Sequence, residues 1–510
     1  MKLKKTTFQH PAIYGLALLN ILIHLAVYKN LEYHRDELLY FSLGLHPDFG
    51  YATVPPLIGW IASAMQLVFG FSLFAVKLFP AILGGLVVLI TADITKILGG
   101  KTYAQILGAL AILIMPVTLR AFYLFQPVAV DVFFWVFCTW LLLRYTETNT
   151  DRLLVALGAS FGIAMLNKYL IALWILALLV PIAFSKYRMI FKKRAFYIAL
   201  IAGFMIFLPN FIWQLAKGLP VINHMQQLHD HQLVHVSRLG FLTDQLLNPL
   251  AASVLTIPGL FYLWKNKKYR FLAYSVLIVI LSLFLLQGKS YYTMGIFPLL
   301  AASGGVFYEK VLKKSIWRIA LPLFLVLITS RVLPFGIPIY KQDGMVAYFQ
   351  RLQDKYGLEI GRRFEDGSIH SLPQDYADQL GWEELTQITA KAYALIPDKS
   401  KALIYAENYG QAGAIALIGK KYGLPEPVSF HESFVYWVPK KFDPDIEYFI
   451  YINNELGEDV QKAFDSIQVV GKISNKNARE YGTTVYLCTR PKASFNKLWT
   501  VVLKQLHIIQ

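Results

Sequence analysis

The chain has 510 residues, of which 56% are hydrophobic and only 16% charged. Soluble domains carry roughly 25% charged residues, so this composition excludes an ordinary soluble protein and points to a polytopic α-helical membrane protein. The net charge of +17 lies largely in short clusters between apolar runs. That is the signature of cytoplasmic loops rather than of a nucleic-acid surface.

In chain order, Met1 to Lys5 is basic and leads into a long apolar run without a small-residue cleavage site. This reads as an uncleaved first span, not a signal peptide. A spanning helix needs about 20 mostly apolar residues. Candidate spans are 11–28, 76–98, 102–119, 127–145, 152–167, 169–185, 196–213, 249–264, 271–287, 291–308 and 316–333. This gives about eleven transmembrane helices. The basic clusters are Lys2, Lys4 and Lys5; Lys186, Arg188, Lys192, Lys193 and Arg194; Lys265, Lys267, Lys268 and Arg270; and Lys310, Lys313, Lys314 and Arg318. With eleven spans, every cluster falls on the cytoplasmic side, as the charge rule requires.

The same count puts six regions outside. They are 29–75, the turn from Arg120 to Gln126, the corner Asn167-Lys168-Tyr169, the loop 214–248, the corner Gly288 to Tyr292, and 334–510. Residues 55–75, opening on Pro55-Pro56-Leu57, are apolar but would break the topology if they crossed. They are expected to form a helix at the interface.

After Pro334 the character changes. β-rich runs at 402–405, 447–452 and 484–488 alternate with helical patterns at 381–396 and 411–421. This predicts a small α/β domain. Two domains are expected, a transmembrane catalytic domain over 1–333 and an extracytoplasmic α/β domain over 334–510. Cys138 falls in an apolar run and Cys488 in the polar C-terminal part. Neither a disulfide between them nor a cysteine metal site follows.

The chemically dense stretch is Glu32-Tyr33-His34-Arg35-Asp36-Glu37, with Tyr40 close behind, beside the first span. Sugar transfer to a hydroxyl needs a base for the acceptor proton, and a carboxylate in a partly dry site suits that task. A competing reading makes one of the acids a helix cap. One of the two can cap while the other works. Asp131 lies one turn into a span, where ionisable groups are functional candidates or are neutralised by a neighbour such as Arg120. Arg35, Arg120, Lys168 and Lys289 are cations at outer helix ends. Singly each reads as an interfacial anchor. Together they supply the positive charge that a departing phosphate needs. Tyr291 and Tyr292 either donate hydrogen bonds there or form an aromatic belt.

The loop 214–248 carries His224, His229, His231 and His235 beside Asp230. The spacing of His231 and His235 would suit a metal pair. An amphipathic surface helix is the preferred reading, and no metal ligand is assigned. The segment Asn408-Tyr409-Gly410-Gln411-Ala412-Gly413 reads as a strand-to-helix turn, either admitting a phosphate or sugar or serving the fold alone.

These residues resemble a known family, the polyprenyl-phosphate-dependent glycosyltransferases of the GT-C superfamily. The branch is that of the protein mannosyltransferases and the lipid A aminoarabinose transferases. The likeness rests on Asp36-Glu37-Leu38-Leu39-Tyr40, on Tyr51 ahead of Pro55-Pro56-Leu57, and on Asp131. It also rests on Leu166-Asn167-Lys168-Tyr169, Gly288-Lys289-Ser290-Tyr291-Tyr292, the loop from Gly218 to Leu246, and the Asn408 turn. Some relatives carry an acid or a lysine immediately before the double proline; this chain has Thr53 and Val54 there.

The resemblance implies a GT-C membrane fold in a bacterial inner membrane, an undecaprenyl-phosphate-linked sugar as donor, and inverting transfer on the outer face. The acceptor would be a lipid, glycan or protein. Asp36 would be the base or acceptor-orienting carboxylate, with Glu37 and Asp131 completing the catalytic set. Arg35, Arg120, Lys168, Lys289, Tyr291 and Tyr292 would hold the lipid phosphate. Tyr40, Tyr51, His224 and His229 would line the substrate. A divalent cation, Mg or Mn, is left open as a cofactor. The main alternative is a transporter or flippase for the lipid-linked sugar. It predicts mid-membrane charges and repeat symmetry, whereas this chain keeps its charges at one edge and shows no repeat. A non-catalytic subunit that binds the lipid-linked sugar is a third reading.

Overall fold

The computed structural model describes residues 10–231, 233–359, 361–364 and 367–506, without the side chains of His231 and His235. The basic cluster Lys2, Lys4 and Lys5 lies outside the described residues, as do the imidazoles of the suggested His231–His235 pair. The chain forms two compact units. One comprises residues up to Tyr28, Asp48–Ile58 and Phe74–Ile339. The other comprises Lys29–Pro47, Gly59–Leu73 and the chain from Tyr340 onward. The second unit thus opens at Tyr340 and also takes in two short segments from the region before 75, which the reading by composition had left with the helices.

The first unit is helical. Among the described residues a helix stands at each of the eleven expected positions, from Pro11–Ala26 to Ser315–Val332. Three depart from the expected outline, and one of these, 249–264, opens as a 3-10 turn over Leu250–Ala252 before the helix Ser253–Lys265. The run 102–119 breaks at Met115, where Pro116 starts the second piece Pro116–Ala121; proline suits a first helical position and cannot continue the previous ladder. The run 291–308 opens as a 3-10 turn over Ser290–Ile296 before the helix Phe297–Val311.

Among the described residues four helices are long and apolar enough to cross a membrane by length and composition. The pair Arg238–Leu247 and Leu250–Lys265, bent by 84°, would make a fifth. A helix of 13 residues such as Ile171–Ala183 spans only about 20 Å, short of a hydrocarbon core of about 30 Å. The eleven-span count therefore rests on the charge pattern rather than on helix length.

Close packing of this unit comes from small residues. In helix Asp151–Met165, a Cβ on Gly158 would stand 2.2 Å from the Ala199 carbonyl oxygen, and one on Gly162 would stand 2.5 Å from that of Gly203. Two small residues four apart on each helix let the backbones meet, as membrane helix pairs require where no hydrophobic force drives them together. The outer surface is apolar. Only 17% of the apolar window of Arg194–Ala216 and 11% of that near Ser315 is buried, leaving side chains such as Ile201, Phe204, Leu323 and Leu327 exposed.

The basic loops of this unit gather at one end. Tyr187 packs edge-on against Phe271, the Tyr269 hydroxyl donates to the Ile97 carbonyl, and Lys310 donates to the Tyr262 hydroxyl. The corners expected outside are likewise linked to one another. Asn167 donates to the Pro127 carbonyl at 2.8 Å, and the Leu57 N–H donates to the Leu166 carbonyl. The region expected at the interface is the helix Leu57–Phe69, with Leu67 and Val68 strongly exposed.

The second unit contains a four-stranded sheet. Its strands are β1 (Ala402–Ala406), β2 (Tyr448–Asn453), β3 (Phe464–Lys472) and β4 (Thr484–Pro491), in the order β1-β2-β4-β3. β1 and β2 are parallel, and β4 runs antiparallel to both neighbours. Phe449, Tyr451, Phe464, Cys488, Phe495 and Trp499 are among the buried side chains of its core. Sequence patterning finds β1, β2 and β4 but misses β3. That strand is an edge, largely half-exposed, with a register shift between Val469 and Gly471, so it lacks a clean alternation. Helices Trp382–Ala394 and Tyr409–Leu417 fall where helical patterns were expected.

Candidate active site

Asp36 belongs to the second unit. Its helix, Arg35–Leu43, starts on His34. The Asp36 N–H donates to His34 Nδ1 at 3.1 Å, and the His34 N–H donates to Glu37 Oε2 at 2.8 Å. The two acids therefore differ in placement. Glu37 is fully buried and closes a capping box, satisfying an N–H that would otherwise be orphaned. The Asp36 carboxylate instead accepts a hydrogen bond from the Tyr409 hydroxyl at 2.8 Å.

Each residue around Tyr409 has a physical task. Asn408 caps the helix Tyr409–Leu417 with Gln411 as the reciprocal partner. Both side-chain amides donate to Glu480, which fixes the turn. The Arg35 guanidinium lies 4.4 Å from the Tyr409 ring centre, and the His431 imidazole stacks on that ring at 5.2 Å. A Cβ on Gly410 would stand 2.7 Å from Arg35 Cγ, and one on Gly413 would stand 2.9 Å from Leu38. Glycine at both positions lets this helix meet the helix of Asp36 closely enough for the phenol to reach the carboxylate.

Further charges surround Asp36. Asp378 is buried and pairs with Arg479 at 3.3 Å. The proton of a neutral His34 ring belongs on Nε2, because Nδ1 accepts. That Nε2 is 3.9 Å from Asp378 and 4.0 Å from Asp375. Burial raises the pKa of Asp36; the Tyr409 hydrogen bond and the Arg35 charge pull it back down, Asp375 raises it and Arg479 lowers it. Burial pushes Asp378 up to about 7, against the lowering charges of Arg479 and Arg35. Such a group holds its proton near neutrality. Tyr409 is raised well above an ordinary phenol by burial and by Asp36, so it stays a donor.

His34, Asp375 and Asp378 offer ligand atoms within 4.8 Å of one another. They are where a divalent cation would find oxygen and nitrogen ligands in this unit. Arg479 already supplies a positive charge to Asp378 there.

The cation set falls mainly in the first unit. Lys168 sits in the corner between helices Asp151–Met165 and Ile171–Ala183. Its ammonium is 4.6 Å from the Tyr292 ring centre and 5.3 Å from that of Tyr291. Asp131 is its counter-charge and Lys289 a like charge. Asp131 is buried and accepts from Trp135 Nε1 at 3.1 Å, and Trp135 stacks on Trp174 at 5.0 Å. A Cβ on Gly295 would stand 2.4 Å from the Trp135 ring, which seats the Tyr291–Tyr292 turn against this helix. His224, half-buried on helix Pro220–His231, has its pKa lowered by burial and then by Lys289. Asp131, Lys168, Lys289, Tyr291, Tyr292 and His224 thus share one neighbourhood.

Other candidates lie elsewhere within their units. Arg35 lies over Tyr409. Arg120 ends the short helix Pro116–Ala121. Tyr51 is buried and its phenol accepts from the Asp48 N–H, and Tyr40 is half-buried in the helix of Asp36. His229 is exposed and pairs with Asp230 at 3.1 Å. Tyr409, His431, Asp378, Asp375 and Arg479 were not singled out from the sequence as partners of Asp36, although the Asn408 turn that delivers Tyr409 was.

Comparisons with known proteins match part of the chain to a family and nearly all of it to a fold. Part of the chain is similar to enzymes of the GT-C superfamily. Residues 53–213 match the family model of dolichyl-phosphate-mannose-protein mannosyltransferase. Over 218 residues the chain is 25% identical to the lipid A galacturonosyltransferase RgtD of Rhizobium johnstonii. That match spans 41% of this chain and 43% of the relative's length. The fold is similar to that of ArnT from Cupriavidus metallidurans bound to undecaprenyl phosphate, with a TM-score of 0.65 and 13% identity over 93% of this chain and 98% of that one. The apo form of the same protein gives a TM-score of 0.62 at 14% identity, with the same coverage of both chains.

Proposed function

We propose that the protein is an integral-membrane glycosyltransferase that moves a sugar from a polyprenyl-phosphate carrier, undecaprenyl phosphate, to an acceptor hydroxyl on the extracytoplasmic face. The observation that carries this reading is the convergence on Lys168. Helix Pro127–Thr148 brings Asp131, the 166–170 corner brings Lys168, and the 288–292 corner brings Lys289 and two phenols. Ring faces and a carboxylate hold the ammonium in place, and its N–H groups suit a phosphate oxygen. The matched structure of ArnT bound to undecaprenyl phosphate and the lipid A galacturonosyltransferase relative support the carrier and the reaction class.

The chemistry needs a proton acceptor and a phosphate holder: Asp36 suits the first task, and Lys168 with Lys289 suits the second. Asp36 takes the acceptor hydroxyl proton as that oxygen bonds to the anomeric carbon. The bond from that carbon to the phosphate oxygen breaks, and its electron pair leaves with the phosphate, whose charge Lys168 and Lys289 stabilise. Displacement from the opposite side inverts the anomeric centre. Glu37 keeps its place in the cap. Eleven crossings, as the charge pattern of the sequence implies, would carry the charged corners and residues 334–510 to the extracytoplasmic face.

The test is release of free undecaprenyl phosphate by the purified protein, reconstituted with the glycolipids of its own membrane. Release that depends on Asp36 supports the reading. No release by the wild-type protein would end it, and release at the wild-type rate by both Asp36→Asn and Asp36→Ala would end the assignment of Asp36 as the base.

A further inference from the structure

The second unit holds a cavity of about 260 Å³ at the opposite end of the helix that carries Asp36. Ser42, Leu45 and His46, from the end of that helix and just past it, form one side; Phe434, Trp437 and Phe442 are among the residues opposite. Ser42 stands six residues beyond Asp36, about 9 Å along the helix at 1.5 Å per residue. The His46 ring stacks on Trp437 at 4.0 Å and 23°, and its Nε2 is 3.1 Å from Glu426 Oε2. These contacts fix a carboxylate–imidazole pair beside an aromatic wall.

The lining chemistry narrows the ligand class. Among the described residues no lysine or arginine lines the cavity and Glu426 is acidic, so an anion such as phosphate is disfavoured. The volume is below the roughly 300–1,000 Å³ of drug-sized ligand sites, too small for a polyprenyl chain. What fits is a small ring with an apolar face for the aromatics and hydroxyls for the Glu426–His46 pair. We propose that this cavity is a monosaccharide subsite that binds a sugar unit of the acceptor. Only the word acceptor rests on the transferase reading; sugar binding stands by itself. The spacing along one helix puts the held unit within a short glycan's length of Asp36.

Saturation-transfer NMR on the full-length protein in detergent tests this, with three neutral probes: methyl α-mannoside, methyl α-galactoside and methyl β-N-acetylglucosaminide. At least one should give a signal in wild type and equally in Asp36→Asn. The signal should disappear in Trp437→Ala and fall at least threefold in Glu426→Gln. Glu426 is half-exposed in a surface pair, and such pairs contribute little to stability, so this variant folds even where Trp437→Ala does not. No signal from any of the three probes, or one undiminished in Glu426→Gln, would overturn the subsite. If the wild-type protein releases no undecaprenyl phosphate while binding still follows Glu426, the transferase reading fails and the subsite stands.

Discussion

The neighbourhoods of Asp36 and Lys168 hold their charges in opposite ways. Asp36, in the second unit, is fixed by a directed hydrogen bond from Tyr409 and flanked by Arg35. Lys168, in the first, is fixed by the faces of Tyr291 and Tyr292, with Asp131 as counter-charge. A directed bond sets the proton affinity of the acid. A ring face attracts the cation without taking up its N–H donors. The difference matches the two tasks assigned here: one site must accept a proton, the other must grip an oxyanion.

The largest effect should separate the two. Asp36→Asn keeps the shape and removes the base, so turnover should fall by about 10²–10⁴, the range for general-base catalysis, while donor affinity stays near wild type. Steady-state kinetics of undecaprenyl phosphate release measure both. A loss confined to KM would assign Asp36 to the phosphate instead.

Next comes Lys168→Ala. Charge-assisted hydrogen bonds are worth about 1.5–3 kcal/mol, so donor affinity should drop roughly 10- to 150-fold. A fall in turnover alone, with donor affinity intact, would blur the comparison.

Tyr409→Phe should act more gently and through pH. Its hydrogen bond lowers the Asp36 pKa. Losing about 1.5 kcal/mol from a charged acceptor raises that pKa by about one unit. The acid limb of the rate profile should therefore move to higher pH, with up to about tenfold loss where the base is newly protonated. A uniform loss at every pH would reduce Tyr409 to a packing residue.

The smallest effect concerns stability. Asp378 is pushed up to about 7 from an ordinary value of 3.8. The folded state then binds more protons than the unfolded state between those pH values, so this group's contribution to stability is full below about pH 4 and declines as pH rises to about 7. Asp378→Asn should flatten that decline in a thermal-melt series. An unchanged slope would place the pH dependence elsewhere.

How far all this was legible follows from the physics of each signal. The helices were legible because apolar runs dominate local sequence, and the cation corners because charge clusters sort them. The split between Asp36 and Glu37 was half legible: two adjacent acids after a capping position promise one cap, but only the fold shows that Glu37 takes it. Tyr409 lies 373 positions from Asp36, and no periodicity links them. Asp378 and Arg479 come from irregular segments whose pairing exists only in three dimensions. Lys29–Pro47 joins the second unit because Gly410 and Gly413 make room for the helix of Asp36, and Gly59–Leu73 follows because Gly44 lets Ala62 and Ser63 pack close and Gln66 donates to the Phe41 carbonyl; composition carries no trace of such a fit. Lys77 is fully buried with its ammonium 4.1 Å from the Tyr123 ring centre. The surrounding apolar run gives no hint of it.

The most direct test of the division of labour is native mass spectrometry of the full-length protein with undecaprenyl phosphate, comparing wild type, Asp36→Asn and Lys168→Ala at one lipid concentration. The account predicts equal lipid occupancy in wild type and Asp36→Asn, and at least tenfold weaker retention in Lys168→Ala. Undiminished retention in Lys168→Ala, or loss only in Asp36→Asn, would contradict it.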